Sequence, residues 1–288
     1  QCYFVLNSLL LLVRAISTLY TTTTDTTTDT TTDTSSSTTS ELELVRLLMS
    51  VAESAPELAV AKDEEVDSVF AADRATAAVF ELLGALLFGS SSSSSATAER
   101  VCESSAFVDW LHRMLTLSKL DQAREYCCDF VLTHARAPQS PLLHPVLAHL
   151  LGKLSELPTT PQCADYARCL EGLLSAAPAD LPGLSDCAAH LVEMLKARPV
   201  VEAPGQHHCA VDRQLCAVLR VLRALVQRPE PAHAALEHGL VQELFGNCLM
   251  ALPSQADHGP RAPPKCKSFV ARACAFELLR QLCDTSSD

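Results

Sequence analysis

The sequence predicts an all-α protein built as an elongated array of helical hairpins. Aromatic residues make up only 5% of a 288-residue chain that is 48% apolar, so Leu and Ala supply most of the core. Apolar residues recur at helical spacing and nowhere alternate as they do in strands. Pairs of predicted helices begin near residues 98, 141, 184 and 231, at separations of 43, 43 and 47 residues. Because HEAT and armadillo units are about 40 to 47 residues long, we expect an armadillo/HEAT-like α-solenoid with disordered Thr/Ser-rich insertions.

Low-complexity tracts divide the first part of the chain. Residues 1–20 are expected to form a first solenoid helix, because the apolar run Tyr3–Val13 is shorter than the roughly 20 residues of a membrane span. Residues 21–40 contain only Thr, Ser and Asp, which offer no apolar group to offset the entropy lost on ordering. We therefore expect a disordered linker there and a second, poly-Ser linker at residues 90–97.

Between these tracts, residues 41–89 are expected to form a helical hairpin. Its first helix should begin at a capping box made by Ser40 and Glu43, and Pro56 should close it off. The second helix should cover about residues 65–88.

The remaining chain, residues 98–285, is expected to form the armadillo/HEAT-like repeats. The predicted helix pairs are 98–117 with 121–136, 141–157 with 161–177, 184–196 with 209–228, and 231–252 with 267–283. Pro141, Pro161 and Pro231 fall at helix starts, where a missing backbone N–H costs least.

The last predicted helix is apolar over most of its girth. Its stripe at helical spacing is formed by Ala271, Ala275, Leu278 and Leu282, and it is widened by Phe276, Leu279 and Cys283. Such a helix is expected to have a helical neighbour on each side.

Charge gives one candidate binding surface. The formal net charge of −12 argues against a nucleic-acid binder, which would present a basic face. Within helix 209–228 the predicted buried stripe is Val211, Leu215, Val218, Leu222 and Leu225. Arg213, Arg220 and Arg223 lie on the opposite side, where they form a candidate surface for an acidic partner protein or a simply solvated face.

Two cysteine-containing stretches resemble chemical sites. The thirteen cysteines form no CxxC pair and are expected to be reduced, mostly buried thiols of a cytoplasmic protein. His207, His208, Cys209 and Cys216 resemble metal ligands, but seven residues of helix rise about 10 Å and so separate the two thiols too far for one zinc ion. We therefore predict no metal site and no cofactor.

The other cysteine considered was Cys248, in the triplet Gly246-Asn247-Cys248, which invites comparison with the nucleophile box of ubiquitin-specific proteases. The Thr that precedes Cys in that box is missing, and Leu249-Met250 replace the residues that follow it. Cys248 is expected to be a core cysteine, so no catalytic residue is assigned. Trp110, the only tryptophan, is likewise expected in the core.

One stretch carries a family resemblance. The segment PKCKSFVARACAFELLRQLC, residues 264–283, resembles part of the helical array N-terminal to the peptidase domain in the large fat-facets-type ubiquitin-specific proteases. The matching positions are Lys265, Cys266, Lys267, Ser268, Arg272, Ala275, Phe276, Leu278, Leu279 and Leu282. Ala271 departs from the pattern, which has Ser there.

The resemblance implies a non-catalytic scaffold region of a thiol-dependent deubiquitinating enzyme. Its role would be to position ubiquitinated substrates or partner proteins for a protease domain that is not in this chain. Its partners would be proteins, with no nucleic acid and no membrane. The alternative is a stand-alone armadillo/HEAT-type adaptor unrelated to ubiquitin.

Overall fold

The described part of the protein is entirely helical. The structure, a computed structural model, describes residues 34–60, 66–89, 92–116, 121–136, 140–153, 163–178, 181–197, 208–249 and 269–285. Every regular element within these ranges is a helix, which confirms the all-α prediction. The predicted first helix at residues 1–20 lies outside the described residues. The chain divides into two compact units, Gln1–His149 and Leu150–Asp288.

The first unit is built around two long helices. Its helices are α1 (Thr34–Val60), α2 (Val66–Phe88), α3 (Ser92–Cys102), α4 (Ser105–Thr116) and α5 (Asp121–Ala135), and α6 (Leu143–Gly152) begins in this unit. The helix α2 packs along α1 on one side and against α5 on the other, and α3 rests on both α1 and α2.

An aromatic cluster fills the core of this unit. Trp110 is fully buried, and its ring centroid lies 5.5 Å from that of Phe80 and 5.7 Å from that of Phe107. The indole Nε1 donates a hydrogen bond to the Met49 carbonyl of α1 at 3.2 Å, which satisfies the one polar group of the ring. The predicted core position of Trp110 is confirmed.

The second unit stacks its helices in two rows. It contains α7 (Cys163–Ala176), α8 (Leu184–Lys196), α9 (His208–Leu225), α10 (Pro229–Glu237), α11 (Leu240–Glu243), which runs into a π-helical turn (Leu244–Leu249), and α12 (Phe269–Thr285). The first row is α7, α9 and α12, with α9 in the middle. The second row is α8 with α10 and α11.

Both predicted ends of the first helix of the hairpin are wrong. The helix α1 begins at Thr34, inside the tract predicted as a disordered linker, and continues through Ser40 and Pro56, so neither the capping box nor the proline stop exists. Propagating a helix needs far less free energy than starting one, so a helix that packs along α2 can extend into a tract of weak intrinsic propensity.

The poly-Ser tract is also helical where it is described. The helix α3 begins at Ser92, so the linker predicted for residues 90–97 is wrong from that residue onward. Thr97 and Ala98 are buried, and the Thr97 hydroxyl donates to Glu41 Oε2 at 2.5 Å. The predicted single helix 98–117 instead breaks at residues 103–104, where the Ser104 carbonyl accepts hydrogen bonds from the next turn.

The predicted helix 231–252 is interrupted as well. Gly239 has φ 81°, a left-handed conformation that ends α10 and that glycine adopts without a steric penalty. Six other helices match their predictions closely. The helices predicted at 65–88, 121–136, 161–177, 184–196, 209–228 and 267–283 correspond to α2, α5, α7, α8, α9 and α12, with ends that differ by at most two residues. The exception is the C-terminal end of α9, which lies at Leu225 instead of residue 228.

The final helix α12 is buried on one side only. The predicted stripe Ala271, Ala275, Leu278 and Leu282 is buried against α9 and the π-helical turn. Phe276 is 60% exposed, and Cys283 is exposed too. The prediction that α12 has a helical neighbour on each side is therefore wrong within the described residues. Phe276 and Cys283, which widen the apolar stripe in the sequence, are exposed and not covered by another helix.

Candidate functional site

Two thiols, two guanidinium groups and one carboxylate come together in the first row of the second unit. We call Glu171 of α7, Cys216, Arg220 and Arg223 of α9, and Cys274 of α12 the thiol–arginine cluster. Positions i, i+4 and i+7 of a helix share one face, which places the three α9 side chains in a line. Since α9 packs against both α7 and α12, this line meets groups from both neighbours.

The carboxylate of Glu171 holds both arginines. Arg220 donates from Nε and Nη2 to Glu171 Oε2, at 3.0 and 2.7 Å, and Arg223 Nη2 donates to the other oxygen, Oε1. All three side chains are partly exposed, so water screens this ion pair. Its main effect is to fix two positive charges in position rather than to add much stability.

The two thiols lie on α9 and α12, which pack against each other. A hydrogen bond from the Cys216 thiol lowers the pKa of Cys274 from its usual 9.0 to about 6. The charges of Arg220 and Arg223 lower this pKa further, while burial and the carboxylate of Glu171 oppose the shift. The pKa of Cys274 therefore lies below that of an ordinary thiol.

Other cysteines of the chain lie in environments of the opposite kind. Burial raises the pKa of Cys102 to about 12 and raises that of Cys127 well above its usual value. Cys187 is only partly buried, like Cys274, yet burial and the neighbouring Asp186 raise its pKa. None of the ten cysteines whose side chains the structure describes is in a disulfide, and this contrast in pKa distinguishes Cys274 from the thiols that are packing groups.

The predicted arginine face is brought together only in part. Arg220 and Arg223 meet their carboxylate inside the chain, at Glu171. The side chain of Arg213 lies outside the described residues, as does that of Val211. The rest of the predicted buried stripe on α9, Leu215, Val218, Leu222 and Leu225, is confirmed.

Only some of the residues that carry the family resemblance lie in the described part of the chain. Lys265, Cys266, Lys267 and Ser268 lie outside the described residues. Arg272, Phe276 and Leu279 lie on α12, where Arg272 and Leu279 are partly buried and Phe276 is exposed. Phe276 and Val270, which is 63% exposed, leave apolar surface on the side of α12 that faces away from α9.

The two cysteine sites weighed from the sequence have different outcomes. Cys248 is 1% exposed within the π-helical turn, as expected for a core cysteine, so an external substrate has no access to its sulfur. Cys216, which the sequence places near possible metal ligands, is partly buried on α9. Among the residues that the structure describes, no three His, Cys, Asp or Glu side chains are grouped as metal ligands.

Comparisons with known proteins give no relative for this chain: no family model, no curated protein and no solved structure matches it. In the described part of the chain, no helix combines the length and the apolar character needed to cross a membrane.

The sequence points to three of the five residues of the thiol–arginine cluster. Arg220 and Arg223 belong to the predicted arginine face, and Cys216 shares that face because the three residues stand at positions i, i+4 and i+7. Nothing local in the sequence points to Glu171 or Cys274, which lie on other helices.

Proposed function

We propose that this chain is a non-catalytic armadillo/HEAT-like scaffold of a deubiquitinating enzyme of the fat-facets type. It would work in the cytoplasm, where it would position ubiquitinated substrates or partner proteins for a cysteine-type ubiquitin hydrolase domain. The observation that carries the scaffold part is the row packing of the second unit. The link to ubiquitin rests on the resemblance over residues 264–283.

The row packing is the arrangement that stacked helical hairpins produce. In it, a helix contacts the helix two places further along, and this holds for two pairs of the second unit: α7 contacts α9, and α8 contacts α10. The starts of α7 and α9, Cys163 and His208, are 45 residues apart, and the starts of α8 and α10, Leu184 and Pro229, are also 45 residues apart. This spacing falls in the range of HEAT and armadillo units.

The outward side of α12 supports a role in protein contact. Phe276 and Val270 are large apolar side chains that are 60% and 63% exposed, and proteins bury such groups at interfaces. Phe276 is also one of the positions that carry the family resemblance.

The reading frame of the parent transcript tests the link to ubiquitin. A frame that continues past Asp288 into a peptidase domain with a complete nucleophile box supports the proposal. A frame that ends shortly after Asp288 instead supports the stand-alone adaptor unrelated to ubiquitin.

A ubiquitin vinyl sulfone probe tests the non-catalytic part. We expect no labelling of the chain, because Cys248 is buried. Labelling that disappears in Cys248→Ala would overturn the proposal. A matched Cys102→Ala variant, which removes another buried thiol, controls for nonspecific loss of labelling.

A further inference from the structure

We infer that Arg220 and Arg223 of α9 form a binding site for the phosphate group of a phosphorylated protein segment, and that Glu171 of α7 occupies this site until the phosphate displaces it. The inference goes beyond the proposed scaffold role and does not depend on the link to ubiquitin. It rests on the geometry, the charge balance and the exposure of the ion pairs in the thiol–arginine cluster.

One carboxylate holds two guanidinium groups close together. Arg220 and Arg223 stand three residues apart on α9, so their side chains share one side of the helix. Arg220 donates to Glu171 Oε2 from Nε and Nη2, and Arg223 donates to Oε1 from Nη2. Because both oxygens belong to one carboxylate, a single anion in its place can contact both guanidinium groups. Each guanidinium carries five N–H donors, so an anion with more oxygens than Glu171 can engage more of them.

These ion pairs contain one more positive charge than negative charge. Arg113 gives a contrast, because it donates from Nε and Nη2 to Glu53 at 2.9 and 2.7 Å, and there one guanidinium meets one carboxylate. The surplus charge of the cluster also acts on Cys274: its pKa is lowered first by the hydrogen bond from Cys216 and then by the two guanidinium charges, against the opposing charge of Glu171. An anion with more than one negative charge therefore suits the cluster better than a single carboxylate does.

A phosphate group has the charge and the oxygens that the two arginines require. At pH 7 a phosphorylated serine or threonine carries about −1.5 to −2 charges and three acceptor oxygens, whereas a carboxylate carries one charge and two oxygens. Arginine pairs its N–H groups with phosphate oxygens, and such charge-assisted hydrogen bonds are roughly twice as strong as neutral ones. A carboxylate on a partner protein offers nothing that Glu171 does not already supply from the neighbouring helix. The phosphorylated side chain is therefore the ligand that the cluster favours.

The two arginines are accessible from solvent. The side chains of Arg220 and Arg223 are 36% and 39% exposed, and that of Glu171 is 21% exposed. Water screens these ion pairs, so the Glu171 side chain can move out to solvent at a small cost. A protein segment is the favoured carrier of the phosphate, because the net charge of −12 repels a polyanion such as nucleic acid, whereas a single phosphate group meets mainly the local charge.

Isothermal titration calorimetry of the full chain with a short peptide, in which glycines flank one phosphoserine, tests the inference at low ionic strength. We expect saturable binding that is lost when serine or glutamate replaces the phosphoserine. Equal binding of the glutamate peptide would overturn the assignment to phosphate. Tighter binding of a short oligothymidylate would assign the site to nucleic acid and overturn the protein partner. If the phosphopeptide does not bind even to Glu171→Gln, the whole inference is wrong.

Charge variants separate a phosphate site from ordinary surface charge. Glu171→Gln removes the internal occupant and should tighten phosphopeptide binding roughly five-fold, whereas Arg220→Gln and Arg223→Gln should each weaken it by a similar factor. Loosening of the fold would weaken binding in all three variants, and that result would refute the assigned roles.

The matched control is Glu53→Gln. This substitution releases Arg113 from the same kind of contact but leaves a single guanidinium group, so phosphopeptide affinity should not change. An equal gain in affinity in Glu53→Gln and Glu171→Gln would show that any released arginine suffices, which contradicts a site built from two.

Discussion

A hydrogen bond between α7 and α6 gives the most direct test of the packing. The hydroxyl of Tyr166 donates to the Leu150 carbonyl at 2.6 Å, and both residues are buried. Leu150 lies within the last four residues of α6, whose carbonyls have no partner inside their own helix. The Tyr166 side chain therefore satisfies a helix end that would otherwise be buried without a donor.

Replacing Tyr166 by Phe removes only the hydroxyl and keeps the ring. The loss leaves a buried carbonyl without its donor, so we expect the free energy of unfolding to fall by about 1–3 kcal/mol. For a unit of this size, each kcal/mol lowers the melting temperature by about 2–4 °C. Hydrogen exchange should also speed up in the peptides that cover α6 and the start of α7.

Urea unfolding followed by far-UV circular dichroism measures the change, with Tyr126→Phe as the matched control. Tyr126 lies on α5 and is only partly buried, so the same chemical change there should alter stability much less. Equal stability of Tyr166→Phe and the unmodified chain, or an equal loss in both variants, would refute the reasoning about the buried carbonyl.

Two further predictions concern the contact between α2 and α5. A Cβ added at Gly84 would lie 2.8 Å from His134 Nε2, and the stacking of His134 on Phe88 at 4.3 Å resists a shift of that ring, so Gly84→Ala should destabilise the first unit despite the higher helix propensity of Ala. In a His134→Ala background the same substitution should become stabilising by up to ~1 kcal/mol in a double-mutant cycle, and a loss of similar size in both backgrounds would contradict the clash. Burial lowers the pKa of His134 from 6.5, so the unfolded chain binds the proton at a higher pH than the folded chain does. The stabilising contribution of the neutral His134 side chain should therefore be complete above about pH 6.5 and be lost as the pH falls below that value. Thermal unfolding across this range should show a shallower pH dependence in His134→Gln, and identical curves would rule out the effect.

Helix periodicity predicted the inward-facing residues better than it predicted the helix ends. The stripe of α9 and the stripe of α12 are buried as their spacing indicates, because a helical repeat follows from local geometry alone. The starts of α1 and α3 were missed because Thr and Ser tracts have low intrinsic helix propensity, whereas both helices as wholes pack against α2.

The thiol–arginine cluster also shows that a sequence pattern identifies a face of one helix but not the residues that other helices bring to it. Cys216, Arg220 and Arg223 are seven residues apart at most, so their common face is readable from the sequence. Glu171 and Cys274 join them from α7 and α12, and neither the charge pattern nor the spacing of the sequence places these residues near α9. For that reason the arginines were predicted to face a partner or water, whereas in the structure they hold Glu171.

The sequence by itself determined that the described chain is helical and which faces of its helices turn inward, since both follow from residue type and a spacing of 3.6 residues. Only the tertiary structure decided which helices meet. The hydrophobic effect that drives apolar faces together has no direction of its own, so periodicity marks a buried face without naming the helix that covers it. The meeting of Cys216 with Cys274, the carboxylate that holds the two arginines and the outward side of α12 all follow from that choice of neighbours.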